Sequence, residues 1–264
     1  MPVAKEFDGY FFDLDGTILL GEQLLPGVLK TLEALRQAGR QIGFLTNTTT
    51  RTRAECCHRL QRLGLEAYEE EILTAAYTSA LYLRERAGAS AVFVVGEPAL
   101  TEELEGQGIR HTTDALEATH VLVGMDQQFH YGKLHLAMKA VRNGAELIAA
   151  NPDPYCPVEG DIIPDTWSIV KAIEAASCMR PSAVIGKPSR YYGAKVLEAS
   201  GLPAGRCLMI GDRLETDILF GVNNGLSTAL VLTGVTSGGE LRQSSIQPDY
   251  VWATLSELLT DCEV

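Results

Sequence analysis

Two carboxylates, Asp13 and Asp15, stand two positions apart at the end of the apolar, aromatic-rich run 7–12, with Gly16-Thr17 behind them. A run of that kind fits a buried strand that delivers a carboxylate at its carboxyl edge. Three further apolar segments end in polar groups: Thr46-Asn47-Thr48, Gly186-Lys187-Pro188 and Gly211-Asp212-Arg213, with Asp217 five residues beyond Asp212. In an open α/β sheet, ligands bind outside the carboxyl ends of the strands. Four such ends are therefore expected to meet at one site.

These residue types suit attack on a phosphate monoester, which needs a nucleophile, a proton donor for the leaving alkoxide, and positive charge around the equatorial oxygens. Asp13 is the candidate nucleophile, forming an aspartyl-phosphate. Asp15 is the candidate for protonating the leaving group and later deprotonating the attacking water. Magnesium prefers an octahedron of oxygens, for which Asp13, the backbone carbonyl of Asp15 and Asp212 form a candidate set, with Asp217 behind them. Thr46 and Lys187 are assigned to the phosphoryl oxygens. Two residues keep two readings each. Asn47 either touches substrate or caps the turn before a helix near Arg51. Asp217 either supports the metal or is an early-helix carboxylate favoured by the helix dipole. The acidic run Glu69-Glu70-Glu71 and the arginines Arg51, Arg53, Arg59 and Arg62 are read as solvated faces, and the five histidines as structural or surface residues.

The elements that must position these groups form an alternating pattern. After the first strand, Pro26-Gly27 opens a helical pattern through Val28, Leu32 and Leu35, closed by Gly39, and a second strand runs from Gln41 to Leu45. Strands at 182–186, 207–211 and 228–232 alternate with helices near 190–200 and 215–224, the signature of a doubly wound parallel sheet. Between them, strands near 91–95, 120–124 and 146–150 and helices near 99–106, 131–142 and 168–177 form an alternation of their own. The expected organisation is an α/β core, residues 1–78 and 182–264, with an inserted α/β domain at 79–181.

With 264 residues, the chain is long enough for this arrangement. A net charge of −12 lacks the basic surface that a nucleic acid polymer demands, so an anionic ligand needs local compensation from a cation, a lysine or helix starts. The six cysteines, Cys56, Cys57, Cys156, Cys178, Cys207 and Cys262, suit neither a zinc knuckle nor a disulfide framework. No apolar run is long enough to cross a bilayer, and a cytoplasmic protein is expected.

The ordered set Asp-x-Asp-Gly-Thr, strand-ending Thr-Asn, Gly-Lys-Pro and Gly-Asp-x-x-x-x-Asp, spread over nearly the whole chain, resembles the haloacid dehalogenase superfamily. Asn151-Pro152-Asp153, followed by Pro157, Gly160 and a helix opening at Ser168, resembles its NagD-like branch, subclass IIA. The resemblance implies a Rossmann-like core with a large inserted cap, a magnesium-dependent phosphatase acting on a small phosphorylated metabolite, and a homodimer. It also sharpens a departure: where the branch commonly carries Pro-Gly-x-Gly-Ser, this chain has Pro164-Asp165-Thr166-Trp167-Ser168. That exchange predicts a stiffer loop, in which Trp167 either narrows a substrate pocket or packs as a buried ring. Dehalogenation would need neither a second aspartate nor a metal, and Lys133, Lys139 and Lys171 read as ordinary helix residues rather than imine-forming ones. A non-catalytic phosphometabolite sensor and a phosphotransferase are the alternative functions on the same core.

Overall fold

The computed structural model describes residues 6–87, 91–158 and 160–260; Cys262 lies outside them. The chain begins with β1 (Gly9–Asp13), a short hairpin of β2 (Leu19–Leu20) and β3 (Gln23–Leu24), and α1 (Val28–Gln37). It continues through β4 (Gln41–Thr46), α2 (Arg53–Arg62), β5 (Ile72–Thr74) and α3 (Ala75–Ala87). Then come β6 (Ala91–Val95), α4 (Pro98–Gly106), β7 (Arg110–His111), β8 (His120–Val123), α5 (Tyr131–Arg142) and β9 (Glu146–Ala149). The hairpin of β10 (Tyr155–Val158) and β11 (Asp161–Pro164) precedes α6 (Thr166–Ser177), β12 (Ala183–Val184) and α7 (Arg190–Ser200). The last elements are β13 (Cys207–Gly211), α8 (Leu219–Asn224), β14 (Ser227–Val231), α9 (Gly238–Gln243) and β15 (Tyr250–Trp252).

Contacts divide the chain into two compact units. One comprises residues 1–46, 56–73 and 187–264, the other 47–55 and 74–186. The sequence boundaries at 79 and 181 thus lie inside the second unit, which also takes in the short segment 47–55.

The first unit is built on a six-stranded sheet in the order β15-β14-β13-β1-β4-β5. Pairings from β15 to β4 are all parallel. Side chains alternate across it, as strand geometry requires. Tyr10 and Phe12 join Leu208, Ile210 and Phe44 on the face covered by Leu32 and Leu35 of α1 and Leu60 of α2. Phe11, Met209 and Leu45 face the other way, toward Tyr192 and Val196 of α7 and Phe220 of α8. Apolar burial on both faces makes this a doubly wound sheet, and explains why its strands read as near-continuous apolar runs.

The second unit has its own parallel sheet, ordered β12-β9-β8-β6-β7. Phe93, Val121 and Leu147 pack with Ala137 and Val141 of α5 and Ile169 and Ile173 of α6. One assignment is corrected here. The segment 182–186, expected as a core strand, pairs through Ala183 and Val184 with β9 of the second unit. Ile185 and Gly186 extend the ladder by donating to Ala149 and Ala150 carbonyls. Periodicity identifies a strand but not the sheet it joins.

The altered loop is also defined. Asp165 caps α6, accepting from the Thr166 N–H, so the helix opens two residues earlier than Ser168. Trp167 is half-buried against the second unit's core, with the Lys171 ammonium 4.7 Å from its ring centroid. The five cysteines among the described residues are free thiols, and no described helix is long and apolar enough to cross a membrane.

Phe12 and Phe44 are fully buried and lie 6.3 Å apart between ring centroids. Phe44→Ala removes a large ring from the centre of the first unit's core, and is expected to cost about 3–5 kcal/mol in equilibrium denaturation.

Candidate active site

Lys187 follows directly on the second unit's last strand pairing and is the first residue of the returning first unit. Its side chain is 2% exposed, and its ammonium donates to Asp13 Oδ1 at 2.5 Å, Asp217 Oδ1 at 2.7 Å and the Leu45 carbonyl at 3.0 Å. Three donors thereby find three acceptors, on the ends of β1 and β4 and on the turn after β13. Burial opposes the lysine's charge, but Asp13 and Asp217 outweigh it and drive the ammonium pKa upward.

Asp217 lies in a π-helical turn, Leu214–Ile218, between β13 and α8. Its second oxygen accepts the backbone N–H groups of Asp212 and Arg213, at 3.2 and 3.1 Å. The carboxylate therefore joins the buried lysine to the backbone carrying Asp212. Asp212 itself is 1% exposed; its Oδ2 accepts from the Val235 N–H at 2.7 Å, while its Oδ1 is buried without a hydrogen-bond partner.

Oxygens of Asp13, Asp212 and Asp217 all lie within 4.8 Å of one another. Fully ionised, three carboxylates against one ammonium would leave two negative charges uncompensated in a buried space. Burial, followed by repulsion from Asp217, pushes Asp212 up to about 7. Burial likewise holds Asp13 well above the usual carboxylate range, against the pull of Lys187. The charge deficit, the all-oxygen donor set and the orphaned Asp212 oxygen fit a hard divalent cation.

Asp15 is placed differently. Its side chain is 62% exposed and stands outside the three-carboxylate cluster, touching Arg59 at 3.4 Å. Thr46 is 4% exposed at the end of β4, near the Tyr192 hydroxyl that donates to the Leu73 carbonyl and lies 3.3 Å from the Thr46 carbonyl. Asn47 belongs to the second unit. Its amide donates to Asp153 at 2.9 Å, and Asn151 donates to its carbonyl at 2.7 Å. The first unit therefore gathers Asp13, Lys187, Asp212 and Asp217 at one place, with Thr46 at the end of β4 and Asp15 two residues beyond β1, while Asn47 bonds Asn151 and Asp153 of the second unit.

Two groups escaped the sequence reading. The polar segment Thr233-Gly234-Val235-Thr236, after the fifth strand, closes on the site. The Thr233 hydroxyl donates to the Gly16 carbonyl at 2.6 Å, and the Val235 and Thr236 N–H groups donate to Asp212. The signal was a polar run after an apolar strand, the same one that identified the other four ends. Arg59, read as part of a solvated face, is instead 7% exposed, because it shares the inner stripe of α2 with Cys56 and Leu60.

Backbone approaches Asp212 very closely. A Cβ on Gly16, which has φ +92°, would stand 2.5 Å from Asp212 Oδ2, and one on Gly234 would stand 2.0 Å from it.

Known proteins share this sequence pattern and this fold. A haloacid dehalogenase-like hydrolase family model covers residues 10–110, and a second hydrolase model of the same superfamily covers 184–258. A human glycerol-3-phosphate phosphatase is 35% identical over 97% of this chain and 91% of its own length. The structure of a glycerol phosphate phosphatase from Mycobacterium tuberculosis in complex with magnesium superposes with a TM-score of 0.91 and 32% identity, over 98% of this chain and 79% of that one. NagD from E. coli K-12 does so with a TM-score of 0.87 and 29% identity, over 95% and 98%. The chain belongs to the haloacid dehalogenase-like hydrolases, in their NagD-like group of phosphatases.

Gly234→Ala forces Asp212 or its loop to move, and is expected to lower phosphatase turnover about a hundredfold with little change in the fold, as measured by kinetics beside circular dichroism. A second prediction concerns pH. In metal-free protein the folded Asp212 keeps its proton up to about 7, whereas an unfolded aspartate releases it near 3.8. Folding therefore takes up a proton in that window, and stability falls as pH rises through it. Thermal melts in chelator should show Asp212→Asn gaining on the natural chain between those pH values.

Proposed function

We propose that this chain is a magnesium-dependent phosphatase that hydrolyses a small phosphate monoester through an aspartyl-phosphate on Asp13. The observation that carries the reading is the buried Lys187 ammonium held between Asp13 and Asp217, beside the unpaired Asp212 oxygen. Asp13, Asp212 and the backbone carbonyl of Asp15 would hold the ion, with Asp217 fixing Asp212 and Lys187 from behind. When bound, magnesium supplies positive charge that lessens repulsion between an incoming dianion and the acidic cluster.

The remaining steps belong to the chain's own groups. An oxygen of Asp13 attacks phosphorus in line with the departing ester oxygen, and the Asp15 carboxyl gives that oxygen a proton. Asp15 then takes a proton from the water that attacks the aspartyl-phosphate, releasing inorganic phosphate and restoring Asp13. The Thr46 hydroxyl holds a phosphoryl oxygen, and the Lys187 ammonium, its protons shared among Asp13, Asp217 and the Leu45 carbonyl, supplies positive charge beside the phosphoryl oxygens as charge shifts among them. Reading the inserted segment, 79–181 by sequence, as a cap that selects the leaving group belongs to the same proposal, as does a cytoplasmic setting. The human relative's name makes glycerol 3-phosphate a sensible member of a first substrate panel.

Phosphate release from a panel of alkyl, sugar and aryl monoesters tests this. Release should require magnesium and fall by more than about a thousandfold in Asp13→Asn. Magnesium-independent release, or release surviving in that variant, would contradict it.

A further inference from the structure

Among the arginines of α2 and the turn before it, Arg59 alone is buried, although its two carboxylate partners are on the surface: the side chains of Asp15 and Glu22 are 62% and 64% exposed. A buried guanidinium is tolerated only when its donors are satisfied. Here each of the three guanidinium nitrogens has a partner, and all three partners lie on one stretch of chain. Arg59 donates to the Gly21 carbonyl at 2.7 Å, to Glu22 Oε1 at 3.1 Å and to Asp15 Oδ1 at 3.4 Å. Gly21 and Glu22 form the turn of the β2–β3 hairpin, which follows Asp15 directly.

We propose that Arg59 is a positioning residue for proton transfer by Asp15. This rests on the reading of Asp15 as the group that moves protons. An exposed aspartate samples several rotamers, and proton transfer needs its oxygen within hydrogen-bond reach of the leaving group. Arg59 is the one side chain among the described residues that bonds this carboxyl, and it engages a single oxygen. The other oxygen is left to the substrate. It delivers the proton to the ester oxygen as the phosphorus–oxygen bond breaks and the bond to Asp13 forms. Arg59 acts by holding geometry.

The test uses leaving groups of different basicity. An alkoxide departs poorly without a proton, whereas p-nitrophenolate departs readily, and kcat/KM reports only the steps through the first phosphoryl transfer. In the magnesium-loaded enzyme, Arg59→Met should lower kcat/KM for the best alkyl phosphate of the panel at least about tenfold more than for p-nitrophenyl phosphate. Arg59→Lys, which keeps the charge and the buried stem but offers no planar fork, should show the same selectivity in weaker form. If Arg59→Met does not fold, Arg59→Lys carries the comparison. Equal losses on both esters, or none, would overturn the proposal in favour of a purely structural arginine. Asp15→Asn separates the two readings. If its loss is not selective for the alkyl ester, the role given to Asp15 falls; if its loss is selective and that of the Arg59 variants is not, only the present inference falls.

Discussion

A single buried ammonium organises this molecule's site. Lys187 sits among Asp13, Asp217 and the Leu45 carbonyl with almost no access to water, and each of its protons has an acceptor on a different strand end or turn. An unpaired charge there would be costly, and so would the carboxylates without the lysine. Fully ionised, the cluster would still carry more negative charge than positive. Burial above all, with repulsion among the carboxylates, raises the Asp13 and Asp212 pKa values, and one Asp212 oxygen has no hydrogen-bond partner. Such a cluster favours a cation, and a bound cation in turn lowers the cost of admitting a phosphoryl dianion.

The rest of the first unit holds those charges in place. The parallel sheet, buried on both faces, brings β1, β4 and β13 side by side, so that Asp13, Leu45 and the turn after Gly211 fall along one edge. The π-helical turn lets Asp217 reach Lys187 with one oxygen and the Asp212 backbone with the other. Gly16 and Gly234 press in on Asp212 so closely that neither position has room for a side chain. The shape of the backbone, as much as the choice of acids, sets the geometry.

Much of this was legible in the sequence, because the physics of a doubly wound sheet leaves a plain mark: apolar runs that end abruptly in Asp, Thr or Lys. Asp13, Thr46 and Asp212 were recognisable in that way, and Lys187 by the same mark after a strand of the second unit's sheet. The elements that escaped depend on tertiary partners. The strand at 183–184 has the pattern of any other strand, and nothing local assigns it to β9 rather than to the core sheet. Asn47 follows Thr46 in sequence, yet its bonds run to Asn151 and Asp153 about a hundred residues later. Arg59 looked like its neighbours because arginines are ordinarily solvated; its spacing from Cys56 and Leu60 marked the buried stripe, and its residue type masked it. The Thr233–Thr236 segment carried the right signal, a polar run at a strand end, one strand beyond those surveyed.

The central claim is covalent chemistry at Asp13, held in place by Lys187. Rapid acid quenching of the enzyme during turnover, followed by digestion and mass analysis of the peptides, addresses it directly. One phosphoryl group is expected on the peptide containing Asp13, appearing within the first turnover and lost as substrate is exhausted. A phosphoryl group on another residue, or none at any time during turnover, would contradict it.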